Sequence, residues 1–189
     1  MTTKRSTNGS GVNHLWKGLA AGLIGGLVAS WTMNRFQDVW SNLAQGNQRP
    51  PGAPDALSPP ERERAKARSE PEDDTTVRTA SAISEGLFHH KLTQKEKKIA
   101  GPAVHYALGT AVGGLYGAAA EIAPKVTAGT GLPFGAVFWQ VVDEGAVPLL
   151  RLSKGPTAYP LSTHAYALSS HFVYGLTAEI VRRLVRRAL

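Results

Sequence analysis

The side chains best suited to chemistry are His105, Asp143, Glu144 and His171, because each interrupts a stretch of the 189-residue chain that is otherwise nearly free of charge. Imidazole beside carboxylate titrates near neutral pH, so such a set can relay a proton, bind an ion or respond to pH. The same groups can also do no more than cross-link helices by hydrogen bonds, and the sequence leaves both readings open. No metal centre is expected. His164 and His171 stand roughly 10 Å apart along a helix, too far to hold one ion together. His89-His90 sits in a polar segment and reads as a solvated pair. A second polar set, Glu121, Glu179, Arg182 and Arg183, lies at the opposite ends of the same stretches.

The absence of Cys removes thiol nucleophiles, disulfides and Cys-ligated metal centres. There is no phosphate-binding Gly-rich loop ending in Lys-Ser/Thr, no His-Glu-x-x-His and no Gly-x-Ser-x-Gly. Neither a catalytic residue nor a cofactor is therefore expected.

Four apolar stretches must position these groups. Gly18 to Asn34 carries no charge between Lys17 and Arg35, and Met33, Phe36, Trp40 and Leu43 continue its helical spacing along an interface. Ile99 to Ala120 has His105 as its only ionisable side chain other than tyrosine, with a capping box at Thr93-Gln-Lys-Glu96 before it and a bend or new helix start expected at Pro102. Lys125 to Arg151 encloses Asp143 and Glu144, and Pro148 withholds a backbone donor from the Glu144 carbonyl. The last stretch, about Leu161 to Val181, ends in Arg-Arg-x-x-Arg-Arg.

Charge follows the same division. The 21 Lys+Arg and 14 Asp+Glu leave +7, and the surplus sits at the two ends of the chain. Basic residues that flank apolar stretches orient a membrane protein, whereas a nucleic-acid binder lines a face with them. No nucleic-acid partner is expected. The fold expected is all-α, a membrane bundle of four transmembrane helices with the lipid bilayer as its surroundings and both termini cytoplasmic. Only Lys91, Lys95, Lys97 and Lys98 run against that orientation. In it His105, Asp143, Glu144 and His171 share one outer-half layer, while Glu121, Glu179, Arg182 and Arg183 lie at the inner face.

The expected organisation is a disordered basic terminus over 1-14, a first helix with interfacial extension over 15-44, a polar insertion over 45-92 and a three-helix region over 93-187. The insertion is partly disordered, with short helices, one opened by Ser58-Pro-Pro-Glu61 and one carrying Val77, Ala80, Ile83 and Leu87 on a face.

Gly18, Gly22, Gly26 and Ser30 recur every four residues, as do Gly101, His105, Gly109, Gly113, Gly117 and Glu121. Small residues at this spacing let helix backbones approach closely in lipid. Packing within one bundle and self-association into an oligomer or larger complex are both compatible with them.

The run Lys-Lys-Ile-Ala-Gly-Pro-Ala-Val-His-Tyr-Ala-Leu-Gly-Thr-Ala-Val-Gly-Gly-Leu-Tyr-Gly, Asp143-Glu144 through Pro148, and Ser169-Ser-His-Phe-Val-Tyr-Gly175 together resemble the YagU-type family of bacterial inner-membrane proteins. The likeness is weak over 16-36, good over 92-187 and nearly absent in the insertion. It implies a helical inner-membrane protein and supplies no catalytic residues. Two functions are therefore expected as alternatives. One is the handling or sensing of protons, ions or a small polar solute by the His/carboxylate layer; the other is a structural or accessory role.

Overall fold

The computed structural model describes residues 8–47 and 75–189, with side chains over 13–43 and 75–189. Ser58-Pro-Pro-Glu61 and most of the insertion lie outside those residues. The described chain is helical and contains no strand: α1 (Asn8–Asn47), α2 (Thr75–Phe88), α3 (Gln94–Ile122), α4 (Leu132–Val141), α5 (Val147–Leu149) and α6 (Leu161–Ala188). A 3₁₀ segment, Pro124–Gly131, joins α3 to α4, and a π-helical turn, Val142–Ala146, joins α4 to α5.

Two compact units divide the chain, one formed by residues 1–35 and 105–189 and the other by 36–104. In the first, α1 and α3 lie stripe against stripe. A methyl group built on Gly22 would stand 2.8 Å from the Gly117 Cα, one on Gly26 3.0 Å from the Gly113 Cα, and one on Gly113 2.5 Å from the Gly26 Cα. Gly18 meets the Gly117 carbonyl and the Glu121 side chain, and Gly109 meets Ser30. Backbones this close exclude any Cβ, which is why the four-residue period is glycine.

An interface of the same kind joins α4 to α6, where a methyl on Gly175 would lie 2.9 Å from the Gly135 nitrogen. Gly131 adds a left-handed φ of 83° and faces the Gly175 carbonyl, so both conformation and space require glycine there. The centre is filled by Ala29, Met33, Tyr174 and Ala178, with Phe134 and Phe138 against them. Tyr174 donates its hydroxyl to the Gly109 carbonyl at 2.5 Å, tying α6 to α3.

The second unit takes in Phe36 onward of α1, all of α2 and the start of α3. α1 continues as helix beyond Arg35 to Asn47, and Phe36 and Trp40 hold their rings 5.7 Å apart on it. The helix expected around Val77 to Leu87 is α2, which buries Ala80 and sets Val77 against Gly101. The capping box before α3 forms: Thr93 N–H donates to Glu96 Oε2 at 2.7 Å, and Glu96 N–H meets Thr93 Oγ1 at 3.4 Å. Of the bend or new start expected at Pro102, no new start occurs: α3 runs on through Pro102.

Among the described residues no helix is long and apolar enough to cross a membrane. Composition accounts for this. The faces that α1 and α3 turn to each other are Gly, Ala and Ser, which dilute the mean hydropathy of helices whose outer faces carry Leu, Ile and Trp. The third stretch is further divided among α4, the π turn and α5.

Candidate functional site

Two histidines on α6 each meet a carboxylate of the π turn. His164 Nδ1 lies 2.6 Å from Glu144 Oε1, and its Nε2 lies 3.0 Å from the Pro156 carbonyl. His171 is buried, with Nδ1 3.8 Å from Asp143 Oδ2 and 2.9 Å from the Ala167 carbonyl. Each imidazole also has an aromatic ring from α4 at its edge. Phe138 stands 5.1 Å from His171 at 82°, and Trp139 stands 6.5 Å from His164 at 77°.

The local geometry explains why adjacent residues serve different histidines. Phe138 and Asp143, like Trp139 and Glu144, are five apart, and on an α-helix such positions point about 140° away from each other. The π turn takes up the extra residue and returns each carboxylate to the side of its aromatic partner. Pro148 contributes by lacking the N–H that would bond the Glu144 carbonyl in α register; the Val147 N–H instead reaches the Val142 carbonyl, five residues back. The Trp139 indole N–H is buried without a hydrogen-bond partner, a donor held beside the His164–Glu144 pair.

His105 and His171 thus occupy different surroundings. His105 stands on the glycine stripe of α3, its ring 5.7 Å from that of Tyr106, whose hydroxyl receives a bond from Asn34 of α1. Of the residues expected in one layer, Asp143 faces His171, while Glu144 turns to His164. His164 is not among the four residues singled out from the sequence, yet its contact with a π-turn carboxylate is the shorter of the two, 2.6 Å against 3.8 Å. Its seven-residue spacing from His171 puts both on one face of α6, and the repeated aromatic-x4-acid spacing at 138/143 and 139/144 is the sequence signal for their partners.

At the other end of α6, Glu179 is completely buried. Arg182 donates to it twice, at 2.7 and 2.9 Å, and Arg183 once at 2.5 Å. Tyr116 points its buried hydroxyl toward the same carboxylate without closing a hydrogen bond of ordinary geometry. Glu121 accepts a bidentate pair from Arg186 at 2.6 and 3.1 Å, and Arg186 also reaches His14 Nδ1 at 2.9 Å. The hydrogen-bonded guanidinium holds the Glu121 carboxyl below the ordinary carboxylate range, and Glu121 raises Arg186 in return. Lys17 donates to the Leu189 carbonyl, so α1, α3 and α6 are cross-linked at this end. Fork-shaped Arg–carboxylate pairing fixes direction as well as distance.

No group of three or more His, Cys, Asp or Glu among the described residues could hold a metal ion. Chemically, the α6 face offers one hydrogen-bonded imidazole–carboxylate couple, His164–Glu144, and a second imidazole, His171, with the Asp143 carboxylate 3.8 Å away, beyond hydrogen-bond reach. A family model described as a protein of unknown function (DUF1440) matches residues 53–180 of the chain. No match is found among curated proteins or among solved structures.

Proposed function

The chain belongs to the DUF1440 family, and from that premise we propose that it is a membrane-embedded helical protein that passes or senses protons through the His164–Glu144 and His171–Asp143 pairs. The observation that carries this is the pairing itself: a π turn sets two carboxylates against two histidines of one helix face, the deeper of them buried. Ionisable groups placed so are costly in an apolar setting, and imidazole–carboxylate couples lend themselves to proton transfer near neutral pH.

Embedding is supported by the distribution of side chains in the larger unit. Trp31, Leu27, Ile24, Leu115, Val137 and Val141 are exposed, while Ser30, Ser170, His171, Glu179 and Arg182 are buried. A surface this apolar over an interior this polar is the reverse of what water favours. The resemblance to YagU-type inner-membrane proteins points the same way, as does the basic C-terminus.

Reconstituted in liposomes with an imposed pH gradient, the wild-type chain should dissipate it, and His164→Ala and His171→Ala should each lose most of that flux with helix content intact. Equal flux from all three proteins would overturn proton handling and leave hydrogen-bonded cross-links between helices. Assembly into an oligomer or larger complex is the competing role. The stripe glycines that suggested it, Gly18, Gly22, Gly26, Gly109, Gly113 and Gly117, face one another within the chain, so a partner would have to use another surface.

A further inference from the structure

A groove of about 500 Å³ runs between α3, the 3₁₀ segment and α4. Val112, Leu115, Tyr116, Val126 and Phe134 line it, and Lys125 is the only charged residue in its wall among the described residues. We infer that it holds one acyl chain of an anionic phospholipid, with the lipid phosphate at Lys125. The inference rests on the membrane setting proposed above and adds an occupant for a specific surface.

Shape and charge both carry it. Val112 to Ala119 covers about 10 Å along α3, enough for the upper part of an acyl chain lying parallel to the helix. Leu115 is 69 % and Val137 60 % exposed on the rims, so the groove opens sideways to its surroundings. The floor is closed by Tyr116 and Phe134, whose rings stack at 3.9 Å and 13°. A volume in the range of roughly 300–1,000 Å³, walled by apolar side chains with one placed polar group, is that of a site for a small amphiphile.

The charge at the Lys125 end selects the headgroup. Arg182 and Arg183 are both paired with Glu179, and Arg186 with Glu121. Among the described residues no carboxylate pairs with Lys125, which is exposed at the mouth. A point cation at the end of an apolar channel complements a phosphate ester on a hydrocarbon chain, and a zwitterionic headgroup satisfies it less well.

The test is native mass spectrometry of the detergent-purified full chain titrated with phosphatidylglycerol or phosphatidylcholine. Wild type should retain one phosphatidylglycerol per chain and prefer it to phosphatidylcholine by about tenfold, a difference of one decade in affinity. Lys125→Glu should abolish the preference while lipid still binds. Ala119→Phe, which fills the groove, should lose the bound lipid of both kinds, with circular dichroism verifying the helices. Equal retention of the two lipids by wild type, or unchanged binding in Ala119→Phe, overturns the inference. Fractionation of the expressed chain separates the two proposals: a chain found in the membrane whose variants bind lipid like wild type fails only here, whereas a chain absent from the membrane fails in both.

Discussion

Gly113 shows how much depends on single atoms at the α1–α3 contact. A Cβ at this position would lie 2.5 Å from the Gly26 Cα, and the obstacle is backbone that cannot swing aside. Gly113→Ala should therefore destabilise the fold by roughly 2 kcal/mol, the size expected of overpacking. Gly86, within α2, has open space where its Cβ would go, and Gly86→Ala should be neutral or stabilising by about 1 kcal/mol through helix propensity. Unfolding by denaturant in detergent, followed by helical circular dichroism, measures both; equal effects would refute the backbone contact. The glycine period was legible in the sequence because it recurs at fixed intervals, and so was the polar cluster at the end of α6, since Glu179, Arg182 and Arg183 follow the i, i+3, i+4 spacing of neighbours on a helix. His164 was not legible by counting residues inward from Leu161. Its partner comes from a turn whose register differs from that of an α-helix, and depth alone does not reveal which way a side chain faces.

The element that most governs the candidate site is the π turn at Val142–Ala146. Pro148→Ala restores an N–H that can bond the Glu144 carbonyl, allowing this segment to return to α register. Asp143 and Glu144 would then turn away from His171 and His164, and proton flux in liposomes should fall to that of His171→Ala while helix content and unfolding midpoint hold. Full flux in this variant would show that the turn does not set the pairs. Periodicity could not have disclosed the turn, because one inserted residue shifts a pattern without erasing it; Pro148 marked only a weakened hydrogen bond. The start of α3, by contrast, was written in the sequence as Thr93 and Glu96, and it carries a pH dependence. Hydrogen bonds from the Thr93 backbone and hydroxyl, then from His90, hold the Glu96 carboxyl below its ordinary value of 4.5. A lowered folded-state value stabilises the helix start above the ordinary value and loses that contribution as pH falls through the lowered one. Hydrogen exchange at Lys95 to Lys98 should therefore accelerate as pH drops below about 4.5 after correction for intrinsic rates, and Glu96→Gln should flatten the profile. A wild-type profile as flat as that of the variant would sink this account.

At the scale of the whole molecule, orientation is the property that the sequence implied most directly and that its own helices express least. No described helix is long and apolar enough to cross a membrane, so a test of the proposed embedding has to address sides rather than segments. The absence of Cys makes this clean, since any introduced thiol is the only one. Ala128, in the 3₁₀ segment, and Thr157, between α5 and α6, are both exposed and fall on opposite faces if the third stretch crosses the bilayer. Lys125 near the first and the four arginines that close the chain predict the cytoplasm for Ala128, while Arg151 and Lys154 leave the second loop with the smaller basic count. In intact bacterial cells, Thr157→Cys should react with a membrane-impermeant maleimide, and Ala128→Cys should react only after permeabilisation. The opposite pattern would invert the orientation and keep the spans. Reaction of both thiols in intact cells, or of neither until permeabilisation, would remove the crossing between them, and with it the membrane setting on which the proposed proton handling by His164–Glu144 and His171–Asp143 rests.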